Sequence, residues 1–238
     1  MKAIIKSARF ITPNVKCFQI ETETAINALP GQFVTVSFPE LLDANNLPLQ
    51  RSYSLLRWKS IENNKSAVEL CISLNKQGAV TPWLWNQNLP VEVEITQALG
   101  SFILKDYNEE SNLEISRIIF ICTGTGLVPF IPMIEKLLKN HPEKEILLFS
   151  GNRNFADELM GDQLKNWETD FLNFTYNPVF SREDSAKNHG YVHHFYREKV
   201  HLNCHVYVCG WNVMCKETRQ NLKELGLTRK QYFFELYD

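Results

Sequence analysis

The chain has 238 residues, enough for one large domain or two of ordinary size. Its 44% apolar and 22% charged residues suit a globular protein, and a net charge of −2 excludes both a nucleic-acid footprint and a polyacidic tail. No apolar run approaches the ~20 residues of a membrane span, and residues 1–15, MKAIIKSARFITPNV, lack the apolar core and cleavage site of a secretory leader, so a cytoplasmic protein is expected.

From residue 1 to about 106 the rhythm is short and β-like. QFVTVSFP (32–39), RSYSLLRW (51–58), AVELCISL (67–74) and VEVEITQAL (91–99) are rich in β-branched and aromatic residues, and turn-forming LPGQ, ENNKS and NKQG separate them. Short strands at this spacing predict an antiparallel barrel or sandwich. The polar stretch KDYNEESNLEIS (105–116) reads as a linker, dividing the chain into domains 1–112 and 113–238.

Beyond the linker the rhythm changes. RIIFICT (117–123) is a continuous apolar run, as in a strand covered on both faces. It leads through Gly-Thr-Gly into LVPFIPMIEKLLKN, whose later apolar positions repeat at helical spacing. EILLFSG (145–151), the helical candidate FADELMGDQLKNWE (155–168), FLNFTYN (171–177), a short helical stretch near 191–199, HVYVCG (205–210), the helix NVMCKETRQNLKEL and QYFFEL (231–236) complete the chain. For the last helix Asn212 is the expected N-cap and Gly226 the expected C′ residue. Strands alternating with helices predict a parallel sheet wound on both faces.

Cysteines stand at 17, 71, 122, 204, 209 and 215, several inside apolar runs, and read as small buried hydrophobes. The spacings of five and six within 204, 209 and 215 match neither a zinc pair nor an iron–sulfur run. Histidines 189, 193, 194, 201 and 205 lack a carboxylate or cysteine pattern around them, so no metal is expected.

ICTGTGLVPF places two glycines where a strand ends and a helix begins, a junction whose free amides and helix dipole suit phosphate. Pro129 falls in the first helical turn, where its missing N–H costs nothing. The third glycine of a GxGxxG pattern is absent, so by itself the segment reads equally as a tight strand–helix turn.

Four segments taken together carry a family resemblance. RSYSLL (51–56) is similar to the R-x-Y-S flavin motif of the ferredoxin–NADP⁺ reductase family, GAVTPWL (78–84) to its flavin-pyrophosphate segment, GTGLVP to its nicotinamide-nucleotide loop and VYVCGWNVM to its C-G-x-x-x-M signature, with Trp211 where proline is commoner. They stand in family order over nearly the whole chain. The resemblance implies an N-terminal antiparallel six-stranded β-barrel for FAD and a C-terminal doubly wound α/β domain, with a five-stranded parallel sheet, for NAD(P)H.

It also assigns residues. Arg51 pairs with the flavin pyrophosphate, where a permanently charged donor fork suits phosphate oxygens; Ser52, Tyr53 and Ser54 line the flavin, Tyr53 against the ring and Ser54 at its reactive N5 edge. Gly78, Ala79, Val80 and Thr81 hold phosphate. Thr123, Gly124, Thr125 and Gly126 take the nicotinamide nucleotide, and Cys209 with Gly210 lies beside the nicotinamide. In the ending FFELYD, Glu235 falls near the flavin and Tyr237 over the face that nicotinamide must occupy, Asp238 extending past the family's aromatic terminus. Ser54, Cys209 and Glu235 are the expected catalytic set. Arg153, Ser181 and Arg182 stand where NADP-using relatives place 2′-phosphate ligands, whereas Tyr191 replaces another arginine of those relatives, so NADP(H) is expected and NAD(H) stays open.

The implied activity is transfer of a hydride from NADPH to flavin, then single electrons to a carrier such as ferredoxin or flavodoxin. A reductase of free flavin, ferric chelates or a cytochrome, and a reductase subunit of a larger redox complex, use the same two domains. Lys216, Arg219, Lys223, Arg229 and Lys230 could attract an acidic carrier, although Glu217 and Glu224 dilute them and a solvated helix face accounts for the same charges.

Overall fold

The structure, a computed structural model, describes residues 1–107 and 115–237. Two compact units part between Ile103 and Leu104. The boundary expected at 112–113 lies outside the described residues.

In the first unit six strands close an antiparallel barrel: β1 (Lys2–Thr12), β2 (Val15–Thr22), β3 (Phe33–Leu42), β4 (Pro48–Ile61), β5 (Lys65–Ser73) and β6 (Val91–Ile95), in the order β1-β2-β5-β4-β3-β6. Alternate residues turn inward, so Phe18 and Ile20 of β2, Val34 and Val36 of β3, and Leu70 and Ile72 of β5 share one core. The short helix α1 (Val80–Asn86) adds Val80 and Leu84 to that core, and its tryptophans meet barrel rings edge to face, Trp83 with Phe38 and Trp85 with Phe18, each at 5.7 Å. Strands β1 and β2 were not singled out by sequence; in KAIIKSARFIT, charged and polar residues occupy both faces and blur the alternation.

The second unit is a parallel sheet of β7 (Arg117–Thr123), β8 (Glu145–Asn152), β9 (Phe174–Phe180), β10 (Cys204–Trp211) and β11 (Tyr232–Tyr237), ordered β11-β10-β7-β8-β9. Helices α4 (His193–Tyr196) and α5 (Asn212–Glu224) join the face of Ile119, Ile121, Val206 and Val208. On the opposite face Phe130 of α2 (Phe130–Asn140) packs on Phe120, itself stacked on Tyr207. Strand order reverses between β7 and β10, the crevice where open α/β sheets bind ligands.

Three local expectations need correction. Residues 124–127 form a 3₁₀ turn, and Pro129, expected in the first helical turn, is instead the N-cap of α2. The segment 155–168 is broken: a 3₁₀ turn spans Phe155–Asp157, Met160 adopts left-handed φ 57°, and α3 is Gly161–Asp170. A Cβ at Gly161 would strike the Glu158 carboxyl, so the break and that glycine belong together. Finally, Trp211, not Asn212, is the N-cap of α5; its amide donates to Thr123 Oγ1 at 3.0 Å, which holds it extended and leaves Asn212 as the first helical residue. Gly226 stands just past α5 with φ 84°, the left-handed C′ position expected of it.

The cluster that anchors the start of the second unit is polar. Tyr107 Oη lies 2.9 Å from His205 Nδ1 and 3.2 Å from Tyr207 Oη, and the Lys105 amide donates to Tyr207 Oη at 3.0 Å. Burial, with Lys105 and Lys144 nearby, pushes the His205 imidazole down to about 4. No described helix is long and apolar enough to cross a membrane.

Candidate functional site

In the first unit the expected site centres on β4. Register with β3 sets Arg51 opposite Val36 and Tyr53 opposite Val34, while Ser52 and Ser54 fall opposite Thr35 and Phe33. Opposed residues of an antiparallel pair share a face, so the motif divides: Arg51 and Tyr53 on one side, Ser52 and Ser54 on the other. Arg51 is exposed and donates from one terminal nitrogen to the Gln50 carbonyl at 2.6 Å. Ser52 shares a 3.0 Å hydroxyl contact with Thr35, and Ser54 is buried.

Tyr53 packs against the barrel core, and its phenolic oxygen is buried with no hydrogen-bond partner among the described residues. Burial drives the Tyr53 phenol well above its ordinary range, and the Arg51 charge opposes that shift. A neutral donor kept from water without an acceptor costs roughly 1–3 kcal/mol, so this oxygen is poised for a polar ligand atom.

Residues 75–81 form the second element of this unit. Thr81 Oγ1 donates to the Asn75 carbonyl at 3.0 Å and accepts from the Asn75 amide at 2.8 Å, while Asn75 Oδ1 accepts from the Gln77 amide at 3.1 Å. Asn75, which sequence reasoning did not single out, therefore organises the turn bearing Gly78, Ala79, Val80 and Thr81. A Cβ at Gly78 would sit 3.3 Å from Asn75 Nδ2. Val80 is buried as part of the core, and Ala79 is exposed.

In the second unit the glycine turn after β7 meets the end of β10. Gly126 lies so close to that strand that a Cβ would overlap the Cys209 carbonyl and reach 2.8 Å from Gly210 Cα. Gly210 has φ 138°, and a Cβ there would fall 2.9 Å from the Thr123 amide nitrogen. Gly124, with φ 53°, faces open space. Backbone from β7 and β10 thus meets at the reversal in strand order, with Gly124 and Thr125 on the open side.

Cys209 is fully buried and in register with Cys122 on one side and Glu235 on the other. Burial first, then the Glu235 charge, push its thiol well above the usual cysteine range, against a hydrogen bond from Tyr237. Tyr237 Oη also reaches the Thr125 carbonyl at 3.5 Å. Thr125, Cys209, Glu235 and Tyr237 are therefore brought together at the ends of β10 and β11.

The far end of the strand tips is built from side chains. Arg153 follows β8, and Asp157 takes its fork at two points, Nε to Oδ2 at 2.8 Å and a terminal nitrogen to Oδ1 at 3.1 Å. Asp157 is mostly buried, and its amide donates to Asn154 Oδ1 at 3.1 Å. Ser181 and Arg182 follow β9, their amides donating to the Asn152 and Arg153 carbonyls. Glu183 Oε1 accepts from the Phe155 amide at 3.1 Å. Sequence reasoning placed the two arginines and missed the carboxylates beside them; Asp157, four residues past Arg153, was the available signal. Tyr191 is exposed and stacks on His193.

Of the basic residues near the C-terminus, Lys216, Lys223, Arg229 and Lys230 are exposed, and the Arg219 guanidinium lies 4.7 Å over the Phe234 ring. Glu217 faces the His193 ring at 3.4 Å, which burial holds below its ordinary pKa, and Glu224 pairs with the Arg197 guanidinium at 3.3 Å. No group of three or more ligating side chains is placed to hold a metal ion among the described residues.

A family model described as "Oxidoreductase NAD-binding domain" matches residues 120–220. The chain is 25% identical over 99% of its length to the toluate 1,2-dioxygenase electron transfer component of Pseudomonas putida, and 22% identical over 95% to flavohemoprotein B of Dictyostelium discoideum. It spans 67% and 56% of those relatives' own lengths. Among solved structures, a ferredoxin–NADP⁺ reductase from Neisseria gonorrhoeae with bound FAD and NADP shares the fold with a TM-score of 0.80, at 17% identity over 99% of this chain and 98% of that one.

Proposed function

We propose that the chain is a member of the ferredoxin–NADP⁺ reductase-like family, whose fold it shares, and that it is a flavin-dependent NAD(P)H oxidoreductase that passes electrons to a second redox protein. The observation that carries this reading is that one chain holds both a barrel strand with a buried phenol at Tyr53, unpartnered among the described residues, and a glycine-lined crevice at the strand-order reversal of a parallel sheet. The residues of both sites fit the groups in question. The barrel site offers a permanent cation and an orphaned polar atom; the crevice offers backbone with no side chain in the way.

FAD, when bound, supplies the conversion between two-electron and one-electron transfer that nicotinamide alone performs poorly. Arg51 neutralises its pyrophosphate, and Gly78, Ala79, Val80 and Thr81 contribute the turn organised by Asn75. Tyr53 lies against the ring system and Ser54 at its reactive edge; Ser52, held by Thr35, keeps the strand in place. In the second unit Thr123, Gly124, Thr125 and Gly126 seat the coenzyme phosphates. Cys209 stays a protonated, compact thiol, held so by burial and by Glu235, and leaves room for the nicotinamide. Tyr237 bonds to Thr125 and Cys209 and so occupies the nicotinamide position until coenzyme displaces it. Gly210 gives the coenzyme backbone to lie on, and Ser181 and Arg182 read the 2′-phosphate of NADPH, with Arg153 sharing its charge with Asp157. The cytoplasm is the compartment this reading implies.

For the electron acceptor, a carrier such as ferredoxin or flavodoxin drawn by Lys216 and Lys223 is one reading. A reductase component that docks on an oxygenase is the other, and the likeness to the toluate dioxygenase electron transfer component favours it. The test is anaerobic titration of FAD-reconstituted protein with NADPH and NADH, followed by mixing with ferredoxin, flavodoxin, free flavin and a cytochrome. Bleaching of the visible flavin band is expected with both coenzymes, more strongly with NADPH. Protein that takes up no FAD, or whose flavin neither coenzyme bleaches, would sink the reading.

A further inference from the structure

The barrel carries a cysteine pair with no part in the flavin or coenzyme sites. Cys17 of β2 and Cys71 of β5 are in register on neighbouring antiparallel strands. Such partners have Cα atoms about 4.5 or 5.5 Å apart, according to their place in the ladder, within the roughly 4.4–6.8 Å that a disulfide spans. Both are free thiols, hydrogen-bonded to one another. Phe18, Ile20, Leu70 and Ile72 point into the barrel core, so Cys17 and Cys71, which alternate with them, stand on its outer face.

The neighbours on that face are polar. Gln19 and Glu69 are the next aligned pair, joined by a 3.3 Å hydrogen bond, and Ser7 donates to Gln19 at 3.1 Å. Glu69 Oε2 lies 3.9 Å from Cys17 Sγ, and Arg9 of β1 is the register partner of Cys17 on its other side. The thiols are 1% and 5% exposed, and the Gln19–Glu69 pair beside them on this face is exposed.

We propose that Cys17 and Cys71 form a reversible dithiol–disulfide site on the outer face of the barrel, whose oxidant is a low-molecular-weight disulfide. The Cys17 thiolate attacks one sulfur of the small disulfide and expels a thiolate, giving a mixed disulfide. Cys71, deprotonated in turn, attacks the Cys17 sulfur and expels the second thiolate. Two protein thiols become one disulfide, the reagent gains two electrons, and the two protons leave with its two thiols. The hydrogen bond from Cys71 lowers the Cys17 thiol, which makes Cys17 the first attacker. The product staples β2 to β5, and β5 is the strand against which β4, with Arg51, Tyr53 and Ser54, is paired.

The test uses the full chain and oxidised glutathione, first on native protein and then during refolding in a glutathione redox buffer, where burial no longer limits access. After alkylation, four of the six cysteines should be modified, the protein should lose two hydrogens, about 2 Da, and peptide mapping should join the peptides of Cys17 and Cys71. Dithiothreitol should restore six alkylated cysteines. Cys17→Ser and Cys71→Ser should each lose the internal link and instead carry glutathione on the remaining cysteine. Six free thiols under both conditions, a link between any other pair, or an internal link surviving in Cys17→Ser would overturn the proposal.

Discussion

In the barrel, the groups assigned to the flavin are mainly side chains of one strand: the Arg51 guanidinium, the Tyr53 phenol and the Ser54 hydroxyl. In the α/β unit, the crevice assigned to the coenzyme phosphates is mainly backbone, with Gly126 against Cys209 and Gly210 against Thr123. The difference separates two ways of holding phosphate. A side-chain site keeps its shape when one group is removed and loses that group's energy. A backbone site depends on close approach, so adding one methyl group disturbs its geometry.

The largest effect should come from testing that contrast on the backbone side. In Gly126→Ala the new Cβ meets the Cys209 carbonyl, which belongs to a central strand and cannot step aside. The cost should exceed the ~1–3 kcal/mol of ordinary overpacking. Flavin bleaching by NADPH should fall at least ~100-fold while FAD uptake by the barrel persists, measured by flavin fluorescence and stopped-flow absorbance. Equal loss of FAD binding would break the comparison. On the side-chain side, Arg51→Ala removes charge-assisted contacts of roughly 1.5–3 kcal/mol, so FAD should bind about 10–100-fold more weakly. The thermal midpoint of the apoprotein should barely move, because Arg51 is exposed.

Acid stability should distinguish the two units as well. His205 is held neutral, its value pushed down to about 4 by burial and two lysines, against an ordinary 6.5. Below pH 6.5 the unfolded chain binds a proton that the folded chain refuses, so stability is lost as pH falls from 6.5 through 4, by on the order of 3 kcal/mol in total. His205→Gln should flatten that limb of the denaturation curve between pH 6.5 and 4 and leave the curve above pH 7 parallel to wild type. An unchanged limb would place the acid sensitivity elsewhere.

The same contrast explains which parts were legible in the sequence. RSYSLL and GTG took their assigned roles from the resemblance of four segments in family order; alone, GTG reads equally as a tight strand–helix turn and RSYSLL as a barrel strand rich in polar groups. Strand patterning narrowed the first unit to a barrel or a sandwich, the resemblance chose the barrel, and strand–helix alternation pointed to the parallel sheet with the apolar run 117–123 as its central strand. What escaped was set by pairing across the chain. Register with β3 splits Arg51 and Tyr53 from Ser52 and Ser54, and the Thr123 hydroxyl takes the amide of Trp211, 88 residues away, moving the start of α5. The lack of an acceptor for Tyr53 likewise depends on what the folded barrel brings near it.

The smallest effect tests the one part of the coenzyme site that is made of side chains. Arg153 was expected to read a 2′-phosphate with its full charge, yet Asp157 grips its fork at two points and is itself fixed by Asn154. A second carboxylate, Glu183, bonds the Phe155 amide on the same loop. In the proposed coenzyme site, a compensated Arg153 would leave Arg182 to carry most of the attraction for the extra phosphate, and a modest preference for NADPH is the expected outcome. Asp157→Asn keeps the size of the side chain and removes its charge, freeing the Arg153 fork for phosphate. With the Arg153 side chain about half exposed, solvent screens the pair to about 0.2–1 kcal/mol, so the variant should bind 2′,5′-ADP about 2–5-fold more tightly by calorimetry. Its affinity for 5′-AMP, which lacks the second phosphate, should stay at the wild-type value, and the ratio of NADPH to NADH efficiency should rise by the same factor. If both ligands tighten together, Asp157 acts on the whole nucleotide through general charge. If neither moves, Arg153 does not face the 2′ position, and discrimination rests on Ser181 and Arg182 alone.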